Sequence, residues 1–168
     1  MDDSSRIVVG VDGSAGSREA LRYAMRDAAR RGARLAVVRV FEPPQDRPAP
    51  YGLYGLPRPP SLDELTANVE STTRTMVGEV AAELGPEGAA VPADVVALLG
   101  SPAKVLVEQA RRADALVLGH RGRGALASAL LGSVGLHCVL HATCPVTIVR
   151  SVSEPAQPAP GAAVAGQA

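Results

Sequence analysis

Two stretches of small and polar residues hold most of the chain's chemical options: GVDGSAGS, Gly10 to Ser17, and GHRGRGALASALLGS, Gly119 to Ser133. In them Asp12 is the one obvious candidate for a general base, and no cluster of carboxylates is available to fix two metal ions. Asp12 also has a plainer reading, since an Asp at a strand-to-helix turn commonly caps that turn. GRGALA, Gly122 to Ala127, matches a dinucleotide fingerprint, but no acidic residue lies between Asp114 and Glu154 to hold a ribose. No GK[ST] exists for a P-loop and no GxSxG for a hydrolase elbow. His137 and His141 are four apart, with Cys138 between them and Cys144 nearby, a spacing that brings a metal to mind. A cysteine stands where a zinc protease needs its glutamate, and a buried cysteine is the simpler account. The expectation is a protein with no catalytic residues and no resident metal.

The elements that must position these loops follow from hydrophobic periodicity. RIVVGV, Arg6 to Val11, is β-branched and apolar, the pattern of a strand buried on both faces. From Ala15 to Arg31 the residues Ala20, Leu21, Ala24, Met25 and Ala28 recur at helical spacing, and Gly32 ends the run. A second buried strand spans Ala33 to Phe41. A proline-rich stretch carrying Tyr51 and Tyr54 follows, from residue 43 to 60, and reads as a loop with a flap or contact role. Ser61 caps a long helix reaching Leu84 before Gly85 and Pro86. Val91 to Leu99 is a third strand. Ser101 and Pro102 start another helix running to about Ala113, Asp114 to Gly119 is a fourth strand, Ser133 to about Ala142 a helix, and Pro145 to Arg150 a fifth strand. This alternation with short connections predicts a doubly wound α/β fold: five parallel strands with helices on both faces, Rossmann-like in outline. Ligands in such sheets bind beyond the carboxyl ends of the strands, where the strand order reverses. Only the two small-residue loops qualify, provided their strands are neighbours.

The second loop has the spacing Gly119, two residues, Gly122, nine residues, Gly132, Ser133, and in this it resembles the nucleotide-binding members of the universal stress protein family. The resemblance runs from Arg6 to Arg150, through VVGVDGS, GSPAKVLVEQARRADALVLGHRGRG and LLGSV followed by CPVTIVR. It implies a single domain over residues 1–150 of the family's nucleotide-binding α/β type. It also implies an ATP site that includes Gly10, in which Asp12 and Val40 lie by the adenosine, while Gly119, Gly122, Gly132, Ser133 and Val134 line the ribose and phosphates. The physical logic agrees: glycines let a backbone approach the ligand, and a helix start offers amides to anions. Arg121 and Arg123 are candidate phosphate contacts, because guanidinium groups bond oxygens in pairs. His120 stands where the family usually has a small Ser or Thr, and no binding role is carried onto it. Mg²⁺ would arrive with the ATP, held by phosphate oxygens and water. The resemblance further implies a homodimer through the last strand, Pro145 to Arg150, and a stress-signalling role in which binding is the output. A slow ATPase and a nucleotide-free structural dimer are the alternatives.

Composition narrows the partners. Lys+Arg and Asp+Glu number 17 each, so no global field draws the protein to nucleic acid or an acidic membrane. Lys104 is the only lysine, which leaves arginine as the basic phosphate ligand. Two cysteines without a CxxC suit a reduced, cytoplasmic setting. The opening MDDSSRIVVGV reads as neither a signal peptide nor a spanning helix. Residues 151–168, rich in Ala, Pro, Gly and Gln, read as a disordered tail.

Overall fold

The structure, a computed structural model, describes residues 5–42, 60–120, 122 and 131–151. The expectations for the proline- and tyrosine-rich stretch up to residue 59, for Arg121 and Arg123, and for the tail from residue 152 lie outside the described residues. The elements are β1 (Arg6–Val11), α1 (Ala15–Arg31), β2 (Arg34–Phe41), α2 (Leu62–Leu84), α3 (Pro86–Ala89), β3 (Ala93–Leu99), α4 (Pro102–Ala110), β4 (Ala115–Gly119), α5 (Ser133–His141) and β5 (Val146–Val149). All five strands are parallel, in the order β3-β2-β1-β4-β5. The expected five-stranded doubly wound sheet is therefore present.

Side chains alternate along each strand, so one register fills two cores. Ile7, Val9 and Val11 of β1 join Leu35, Val37 and Val117 beneath α1 and Val80 of α2. Val8, Ala36, Val38, Leu116 and Leu118 join Leu106 and Ala110 of α4 and Cys138 of α5 on the other face.

Local chemistry sets the helix ends. Ser14 caps α1 by accepting from the Ser17 amide at 3.2 Å. Gly32, at φ +62°, ends it, with the Ala33 amide reaching back to Ala28 at 2.9 Å, a left-handed cap that glycine adopts without strain. Ser61 and Glu64 cap α2 reciprocally: Ser61 N donates to Glu64 Oε2 at 2.6 Å, and Glu64 N donates to Ser61 Oγ at 3.2 Å.

Five expectations differ in detail. The single turn α3 follows Gly85, where Pro86 takes the first helical position. The helix begun at Pro102 ends at Ala110 rather than near Ala113, and the third and fifth strands are shorter than expected by two residues in total each. Ser101 holds the N-cap position of α4, but its hydroxyl makes no cap bond.

Candidate functional site

The chain lays down β1, β2 and β3 outward in one direction, then returns to place β4 on the free side of β1. The order thus reverses between β1 and β4, so the carboxyl ends of these two strands lie side by side, where ligands bind in sheets of this kind. In β1 the register pairs Val9 with Val117 and Gly10 with Leu118, so both strands end at the same level.

Asp12 begins the first loop. Its Oδ1 accepts the Ser14 amide at 2.9 Å and the Ser14 hydroxyl at 2.6 Å, so the carboxylate does close the turn, as its plainer reading expects. Its other oxygen faces the second loop: a Cβ added to Gly122 would lie 2.6 Å from Asp12 Oδ2. Only a glycine at position 122 allows that approach without displacement. At the last residue of β4, a Cβ on Gly119 would meet the Gly16 carbonyl at 2.7 Å, so this glycine lets the strand end press against the first turn of α1.

Backbone bonds tie off the second loop. His120 N donates to Val149 O at 2.8 Å, and Gly132 N donates to His120 O at 2.9 Å. The second bond brings the start of α5 back to the end of β4, with Gly132 at the N-cap and Ser133 exposed as the first helical residue. No side chain caps α5 among the described residues. His120 itself is buried.

The remaining candidates are placed as follows. Val40 lies near the end of β2, one residue beyond the Val11–Arg39 pair, and packs at the rim of the second core with Val134. Gly10 lies under α4, where an added Cβ would meet Leu118 Cδ2 at 2.6 Å and Leu106 at 3.0 Å, so packing accounts for this glycine. Asp12, Gly119, Gly122, Gly132 and Ser133 are gathered at one end of the sheet. Sequence reasoning missed Ser14 and Ser17, whose hydroxyls knit the first loop together. The signal was the Asp-Gly-Ser run, a turn in which an Asx side chain bonds the backbone two residues on.

Elsewhere, a groove of about 400 Å³ between the end of α1 and α3, lined in part by Ala29, Gly32, Ala33 and Val91, lies at the amino end of the sheet, away from these loops. His137 and His141 stack with ring centroids 4.2 Å apart, and His141 Nδ1 lies 2.9 Å from His137 O. Burial pushes the Cys138 thiol up to about 11 and raises that of Cys144. Among the described residues, no three His, Cys, Asp or Glu side chains gather in a metal-holding group. No helix there is long and apolar enough to cross a membrane.

The parallel sheet with helices over both faces defines a doubly wound, Rossmann-like α/β protein. The model of the universal stress protein family matches residues 4–150, and the chain belongs to that family. It is 34% identical over 166 residues to a universal stress protein of Mycobacterium tuberculosis, a match spanning 95% of this chain and 52% of that one. The chain spans about half the length of the mycobacterial relatives it matches first. A universal stress protein of Thermus aquaticus is 32% identical over 146 residues, covering 86% of this chain and 97% of its own. Among solved structures, a universal stress protein in complex with cAMP superposes with a TM-score of 0.61 at 26% identity, covering 86% of this chain and 95% of that one.

Proposed function

We propose that this protein binds adenine nucleotide, ATP above all, in the crevice between the β1 and β4 loops, and that binding rather than rapid chemistry is its output. The observation that carries the reading is the approach of Gly122 to Asp12 at the point where strand order reverses. It brings a carboxylate acceptor, glycine backbone and the start of α5 to one place, as a nucleoside with phosphates requires. In this reading Asp12 and Val40 flank the nucleoside. Gly119, Gly122, Gly132, Ser133 and Val134 line the ribose and phosphates, with Arg121 and Arg123 as guanidinium contacts. Mg²⁺ would travel with ATP on phosphate oxygens and water. The complex of a similar protein with cAMP supports an adenine ligand.

The same reading makes residues 1–150 the binding domain and 151–168 a tail of a cytoplasmic stress-response protein. Two free cysteines suit that compartment. It also makes the protein a homodimer through its last strand. β5 is the outer strand beside β4, and Leu136, Val139 and Leu140 of the adjoining α5 are about half exposed or more.

The test begins with denaturing fresh protein and identifying any released nucleotide by chromatography. ATP, ADP and AMP are then titrated into the wild type and into Gly122→Glu, whose new carboxylate would crowd Asp12. Nucleotide released or bound by the wild type and lost in the variant is the expected result. A wild type that binds none of the three overturns the reading. Phosphate release at saturating ATP separates this reading from a slow ATPase, and sedimentation velocity tests the dimer.

A further inference from the structure

His137 and His141 lie on the last turns of α5 and have no role in the nucleotide reading. Four residues apart on one helix, their side chains meet, with ring centroids 4.2 Å apart and ring planes at 19°. His141 Nδ1 lies 2.9 Å from His137 O. A carbonyl oxygen only accepts, so Nδ1 carries the proton, and in the neutral ring the lone pair falls on Nε2. Proteins orient metal-binding imidazoles in this way: one ring nitrogen donates to a backbone carbonyl and the other ligates. His141 is exposed and His137 half-buried, so solvent reaches the pair. Cys138, next to His137 in the chain, packs instead into the second core at 0% exposure.

We propose that His137 and His141 form a two-imidazole site for a divalent transition metal, Cu²⁺, Ni²⁺ or Zn²⁺, on the exposed side of α5, with water completing the coordination. Imidazole suits these ions, whereas Mg²⁺ takes oxygen. Each metal–nitrogen bond is about 2 Å long, so a shared ion sets the two nitrogens about 3 Å apart. The stacked rings reach that separation by tilting edge to edge, a side-chain movement that leaves the helix backbone in place. Among the described residues no third His, Cys, Asp or Glu joins the pair, so the ion is loaded and lost by exchange and is not a resident centre. Because the chelate spans one helical turn, it also fastens the end of a nine-residue helix.

The experiment titrates Cu²⁺, Ni²⁺, Zn²⁺ and, as a control, Mg²⁺ by calorimetry into the full chain, stripped with EDTA and dialysed, in the wild type, His137→Gln and His141→Arg. Arginine keeps a cation at the helix end, where the dipole favours one, but offers no lone pair. Should it fail to fold, His141→Gln takes its place, and thermal midpoints without metal are recorded for every variant. His120, the third histidine of the chain, is buried and unchanged throughout. The wild type should bind one transition-metal ion per chain, Cu²⁺ most tightly, as the stability order of these ions requires. Either variant alone should weaken binding about tenfold or more, because the second imidazole acts as an intramolecular ligand. At a metal concentration about ten times the Kd, hydrogen exchange of the α5 amides should slow about tenfold in the wild type and stay unchanged in the variants. A wild type that binds none of the three transition metals overturns the proposal. So does binding that either variant leaves intact, or an α5 exchange rate that metal does not alter in the wild type.

Discussion

Beneath α1 and α2, the strand residues Ile7, Val9, Leu35 and Val37 and the helix residues Leu21, Ala24 and Met25 are all at most 1% exposed. Arg18 reaches Glu79 at 2.8 Å and Glu83 at 3.1 Å, and Arg22 also pairs with Glu83, so charges bind the rims of the two helices. Beneath α4 and α5, Val8, Val38 and Leu116 are buried as deeply. The cover there is thinner: α4 and α5 have nine residues each, against 17 in α1 and 23 in α2. On α5, Leu136 and Leu140 remain 50% and 67% exposed. The first face has the build of a stability core, whereas the second keeps a short helix whose first turn borders the crevice. Elements that respond to ligands are drawn from the less stable parts of a fold.

The comparison breaks most directly by truncation. Leu21→Ala is expected to lower the unfolding free energy by about 2–5 kcal/mol, and Leu106→Ala to fall at the low end of that range, because its lighter surroundings can collapse into the cavity. Equal losses in urea unfolding would mean that the two faces are equally well packed.

Overpacking comes next, at about 1–3 kcal/mol. Gly119→Ala should cost more than Gly10→Ala. The new methyl at 119 meets the backbone of Gly16, whereas at 10 it meets the ends of the Leu118 and Leu106 side chains, which can turn away. Thermal melts of the two variants settle the order, and a cheaper Gly119→Ala would show that α1 moves freely against β4.

A smaller effect comes from acid. The Arg6 amide, followed by the Ser5 hydroxyl, holds the Asp114 carboxyl below its ordinary value, and Arg22 followed by Arg18 does the same for Glu83. A carboxyl that ionises more easily in the folded state stabilises it above the unfolded pKa. That contribution is lost as pH falls through the folded pKa. Stability should therefore decline below about pH 4, and Asp114→Asn should flatten the decline in pH-dependent unfolding. Both groups are exposed, so solvent screening keeps the change small, and added salt should shrink the Glu83 part further.

The smallest signal is chemical. Cys138 is fully buried, with its thiol pushed up to about 11, so at pH 8 about a thousandth would be thiolate even if reagent could reach it. Iodoacetamide should leave Cys138 intact until the protein unfolds. Labelling of the native protein at Cys138, read by peptide mass spectrometry, would show that α5 opens readily and would sharpen the contrast between the faces.

The sequence by itself determined the strands, because a strand buried on both faces must be an unbroken apolar run such as RIVVGV or DALVLG. It determined two main helix ends as well, since Gly32 and Ser61 act on backbone groups within a few residues of themselves. The single turn after Gly85 was not legible, because a four-residue helix has no periodicity to read. The glycine spacing marked the second loop, yet what each glycine touches did not follow from it: Gly10 answers to Leu118 and Leu106, Gly119 to Gly16, and Gly122 to Asp12. Those partners are set by the return of β4 to the side of β1, a non-local pairing that local propensity cannot encode. The hydrogen bonds from Ser17 to Ser14 and from Ser14 to Asp12 depend on distances of about 3 Å between folded atoms, and only the tertiary structure decided them.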